Sequence, residues 1–135
     1  MILALLLVPT LAGAVALVVR PDRPRRGLLV LAAVAHAALT VAVWMVPPPP
    51  ALGGWLALDA PGRLFLTVTS LLFLVAGAYG VGYLHREQPG AHRDLEEEFL
   101  FANAPEATFT ACLLFFLAAM TLVCLSQRFG LLWVA

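Results

Sequence analysis

Along this chain, polar and apolar positions are separated into long blocks rather than alternating. No ionisable residue except His36 lies between Arg26 and Asp59, none with a charge between Arg63 and His85, and none between Glu106 and Arg128. Gaps of that size match a membrane, because roughly 20 residues of helix cross about 30 Å of hydrocarbon. The blocks predict four membrane-spanning helices at about residues 2–19, 27–46, 64–84 and 107–127, with a fifth starting from about Gly130. Open strands are unsuited to the same task, since each unpaired backbone group in lipid costs about several kcal/mol. The ten-residue alternation of a β-barrel is also missing. The expected class is therefore an all-α, multi-pass membrane protein forming a single helical region, residues 1–135.

Composition agrees with the pattern. Hydrophobic residues make up 62% of the chain and charged residues 12%, against about 45–50% and 25% in a soluble domain. The first apolar block has a signal-peptide alternative, with Ala12-Gly13-Ala14 in the place of a cleavage site. Its n-region carries no basic residue, whereas Arg20, Arg23, Arg25 and Arg26 follow it, which favours a helix with its N-terminus outside. All eight basic residues are arginine. Placing Arg20 to Arg26 in the cytoplasm also brings Arg86 and Arg93 inside and leaves only Arg63 and Arg128 outside. The expected location is the cytoplasmic membrane. Eight arginines balanced by eight acids leave no basic footprint for nucleic acid.

Candidate chemistry is sparse. His36 is the one group in the middle of a predicted span that titrates near neutral pH, which makes it the candidate proton-relay residue; the competing reading is a neutral imidazole bonded to a neighbouring helix. Asp59 suits a helix N-cap, with Pro61 in the first turn and Arg63 four residues on, within reach of an ion pair. Trp44 and Trp55 suit the outer interface, and four prolines at residues 47–50 suit a stiff spacer. Small residues at Ala76, Gly80, Ala78 and Gly82 allow close helix approach and predict that this helix packs inside a larger bundle. In the polar loop, Leu95, Phe99 and Phe101 among Glu96 to Glu98 predict a short amphipathic helical turn at the membrane surface. His85 and His92 lack the close spacing or cysteine partners of a metal site. Cys112 and Cys124 are twelve residues apart on one predicted helix, about 18 Å along its axis, too far to bridge or to hold a cluster. No catalytic, cofactor-binding or metal-binding residue is expected.

The stretch WLALDAPGRLFLTVTSLLFLVAGAYGVGYL resembles the start of the antiporter-like membrane subunits, in which an L-D-x-(x)-(S/G)-R-L-F element opens the third helix and a Y-x-x-G-Y-(L/M) element closes it. The later stretch FTACLLFFLAAMTLVCLSQRFGLLWVA is similar to that family's fourth helix and the beginning of its fifth. The likeness is greatest to component F of hydrogenase-4, within the group that includes the proton-translocating subunits of NADH:quinone oxidoreductase. It implies the N-terminal part of a subunit that couples redox chemistry to proton translocation, surrounded by other membrane subunits and by lipid. It also implies that the glutamate and lysines of the proton path belong to helices beyond those read here, so that these helices support the bundle, with Asp59 and Arg63 as a structural pair. The alternative is a self-standing four-helix membrane scaffold or assembly protein.

Overall fold

The computed structural model describes residues 1–86, 91–93, 100–102 and 105–128. Four helices account for most of them: α1 (Ile2–Val18), α2 (Asp22–Met45), α3 (Ala60–Arg86) and α4 (Glu106–Leu125). The last three are long and apolar enough to cross a membrane, while α1 is a shorter apolar helix of 17 residues. Between α3 and α4, β1 (Ala91–Arg93) pairs antiparallel with β2 (Leu100–Ala102), His92 standing opposite Phe101. The amphipathic turn expected near here is thus corrected at its end, where residues 100–102 form a strand; residues 94–99 lie outside the described residues, as does the expected fifth helix.

Helix ends follow from local chemistry. α2 begins five residues before the expected start, at Asp22, because Pro21 holds the extended N-cap conformation and Pro24 falls in the first turn, where no backbone donor is missed. Its arginines therefore belong to the helix instead of preceding it. α3 starts at Ala60 rather than at about residue 64 because Asp59 caps it: the Gly62 amide donates to Asp59 Oδ1 at 2.8 Å. α2 stops at Met45 ahead of the prolines, and the chain reverses in a 3-10 turn, Leu52–Gly54, all three of whose residues have positive φ. Two glycines meet this demand without steric cost; Leu52 is the exception.

The helices run alternately up and down. One end gathers the C-termini of α1 and α3 with the N-termini of α2 and α4, through Arg25 and Arg26 described below. The opposite end is closed by extended chain: Ala57 N donates to Leu125 O at 3.0 Å, and Gln127 N to Trp55 O at 3.1 Å. Between the ends lies an apolar core in which Ala12 and Ala16 of α1, Leu29 and Ala33 of α2, Phe73 of α3 and Leu114 and Leu117 of α4 are buried together. Small residues on α1 and α2 let the helix backbones approach closely, the contact that association in lipid requires because hydrocarbon offers no hydrophobic drive.

Helix α3 is only partly enclosed. Gly77 and Gly80 are buried, with Gly77 facing Ala33 and Leu29 of α2. Ala76, Ala78 and Gly82 are exposed, together with Leu72, Val75 and Tyr79. Only one of the four small positions singled out in the sequence, Gly80, is therefore buried within this chain, and even there a Cβ would meet no neighbouring helix within 4 Å.

Candidate functional site

The polar centre of the bundle is built on His36, which is fully buried. It lies near the middle of α2, on the face that also presents Leu29, Ala32, Ala33, Thr40 and Val43 inward. Its Nδ1 lies 3.1 Å from Ser70 Oγ on α3, and its Nε2 lies 3.0 Å from Thr121 Oγ1 on α4. Thr121 Oγ1 itself donates to Leu117 O at 2.7 Å, within its own helix. A hydroxyl has one hydrogen, so Thr121 accepts from the ring, Nε2 carries the proton, and Nδ1 receives the Ser70 hydroxyl. One neutral tautomer thus satisfies both ring nitrogens. Thr40 Oγ1 completes the layer by bonding to His36 O at 2.9 Å.

This arrangement fastens three helices together through one buried ring. Ser70 and Thr121 are recognisable in the sequence only as hydroxyls in apolar runs, and their meeting with His36 depends on how three helices rotate against one another.

Asp59 and Arg63 do not form an ion pair among the described residues. Asp59 turns its carboxylate back onto the Gly62 amide, while the Arg63 guanidinium lies over the Trp44 ring, 5.4 Å from its centroid. Trp44 Nε1 donates to Thr67 Oγ1 at 2.9 Å, fixing the ring beneath the cation. Among the described residues Arg63 Nε is buried without a hydrogen-bond partner, and the guanidinium's aromatic neighbour is the Trp44 ring. A similar contact recurs nearby, where Arg128 lies 5.7 Å from the Trp55 centroid. The capping role expected for Asp59 is present; the pairing with Arg63 is replaced by the contact with Trp44, because a carboxylate committed to the Gly62 amide is directed away from the side chain one turn on.

The strongest electrostatic contacts are at the opposite end. Arg26 reaches Glu106 through two bonds of 2.9 and 2.8 Å and the Leu84 carbonyl through a third of 2.9 Å, joining α2, α4 and α3. Arg25 is buried and donates to the carbonyls of Ala16, Val19 and Arg20 at the end of α1, while Nη1 pairs with Asp22 at 2.8 Å. A guanidinium there satisfies orphan carbonyls and complements the negative end of the helix dipole. Sequence reading counted these arginines for orientation alone; the available signal was an acid, Glu106, standing at the threshold of the last apolar block.

Cys112 is exposed and Cys124 buried, both free. Among the described residues, no three His, Cys, Asp or Glu side chains converge in a manner that would hold a metal ion. His85 lies in the last turn of α3, and the side chain of His92 lies outside what the structure describes. No family model, curated protein or solved structure matches the chain.

Proposed function

We propose that this chain is a supporting helical bundle at the N-terminal side of a proton-translocating, antiporter-like membrane subunit, of the kind found in hydrogenase-4 and in NADH:quinone oxidoreductase complexes. In this reading α1 crosses the cytoplasmic membrane with the other three helices, the N-terminus is outside, and the arginine-rich end faces the cytoplasm. The complex would drive protons by redox chemistry elsewhere, and the chain itself supplies no catalyst and no cofactor. The resemblance in order and spacing of the Leu58-Asp59, Arg63-Leu64-Phe65 and Tyr79 to Leu84 elements is what supports this reading. The observation that carries the supporting role is the closed hydrogen bonding of His36: its ring nitrogens are both occupied by neighbouring hydroxyls, as in a fixed interhelical junction. A pump requires charge switching along several titratable groups across about 30 Å.

The test is isolation of the tagged chain from its native membrane in mild detergent. It should co-purify with further membrane subunits and a redox-active peripheral arm. Purification as a solitary four-helix protein would favour the scaffold reading. Reconstituted alone in liposomes containing a pH dye, it should pass no more protons than empty vesicles under an imposed potential. Flux abolished by His36→Ala would overturn the supporting role.

A further inference from the structure

A trough of about 610 Å³ opens between α2 and α3 at the arginine-rich end, within the roughly 300–1,000 Å³ usual for a small-molecule site. Leu31 and Val34 of α2 and Val81 of α3 form its apolar wall, and Arg23 and His85 stand at its mouth. Positions 23, 27, 31 and 34 share one face of α2, and 81 and 85 are one turn apart on α3, so the trough runs along both helices. Gly27 opens the upper wall: a Cβ there would meet nothing within 4 Å.

Charge at the mouth distinguishes this trough from an ordinary apolar surface. Arg25 is committed to α1 carbonyls and Asp22, and Arg26 to Glu106 and the Leu84 carbonyl. Arg23, exposed, has no hydrogen bond or ion pair among the described residues. His85, also exposed, brings a ring N–H donor to the same opening.

From these observations we infer that the trough binds an anionic glycerophospholipid, with its headgroup phosphate on Arg23 and His85 and an acyl chain along Leu31, Val34 and Val81. A soluble anion would leave the apolar wall unfilled within the bilayer. A zwitterionic lipid would fill the wall but bring its own cation to Arg23. Only an amphiphile with net negative charge satisfies both parts, as basic pockets between membrane helices do for acidic headgroups.

The experiment titrates the delipidated full chain, in uncharged detergent, with phosphatidylglycerol or phosphatidylcholine and counts bound lipids by native mass spectrometry. Phosphatidylglycerol should bind at least about fivefold more tightly, and Arg23→Gln should remove about fivefold in affinity for it alone, the factor expected for one basic group at a membrane surface. His85→Gln provides a second reading of the headgroup contact. Gly27→Leu, whose side chain enters open space, should weaken both lipids alike. Equal binding of the two lipids, or affinity unchanged in both headgroup variants, would overturn the proposal, as would displacement of the lipid by inorganic phosphate. A wild-type chain that binds no phosphatidylglycerol, with binding gained in the Glu96→Gln, Glu97→Gln, Glu98→Gln variant, would assign Arg23 to the chain's own acidic segment and also overturn it.

Discussion

The Arg26 guanidinium grips both carboxylate oxygens of Glu106, at 2.9 and 2.8 Å, across 80 residues of sequence. Both side chains are largely buried, and a third bond to Leu84 O ties the end of α3 into the same joint. Replacing Arg26 with Gln should destabilise the bundle by about 1.5–3 kcal/mol, the range for a hydrogen bond to a charged group. Exchanging the charges, Arg26→Glu with Glu106→Arg, should recover only part of this, because the new carboxylate would face the Leu84 carbonyl. Thermal unfolding of the purified variants in detergent measures both; full recovery by the exchange would show that the carbonyl bond contributes nothing.

His36→Leu removes the ring from between Ser70 and Thr121 while preserving apolar volume. Interhelical hydrogen bonds in membranes average about 0.6 kcal/mol and reach about 1.7, so the coupling between His36→Leu and Ser70→Ala should fall in that range. A double-mutant cycle reads it directly. Strictly additive effects would mean that the 3.1 Å contact carries no energy.

At Gly62, a Cβ would come within 2.6 Å of both Asp59 Oδ1 and Cys124 O. The second obstacle is backbone and cannot rotate away. Gly62→Ala should therefore cost about 1–3 kcal/mol, as overpacking does, and separate the start of α3 from the end of α4. A stability equal to the parent in the same unfolding assay would contradict this close approach.

Asp59→Ala should cost about 0.5–2 kcal/mol by uncapping α3, and Asp59→Asn should retain most of the lost stability because an amide oxygen also accepts from the Gly62 amide. Since Arg63 rests on Trp44 rather than on Asp59, Arg63→Gln should act independently of Asp59→Ala. Significant coupling between the two would restore the ion pair expected from their spacing.

Reporter tags inserted at Asp22 and at Gly90 should both read cytoplasm, and one at Leu52 the outside, following the distribution of arginines. A cytoplasmic Leu52 would reverse the proposed orientation.

The sequence by itself determined the helical, multi-pass character, the rough positions of four apolar segments and the cap at Asp59. Each depends on properties carried along the chain: block length, absence of charge, and the local chemistry of Asp, Pro and Gly at helix starts. It also marked His36 as the exceptional residue in mid-span. Tertiary structure decided what these residues touch. The partners of His36 lie 34 and 85 residues away, and helix rotation, which no single segment encodes, brings their hydroxyls to the ring. The same holds for Arg26, whose ties to Glu106 and Leu84 turn a topology signal into a three-helix joint. Spacing placed Arg63 within reach of Asp59, but reach alone sets no direction: the Gly62 amide claimed the carboxylate, and Trp44, delivered by another helix, received the guanidinium.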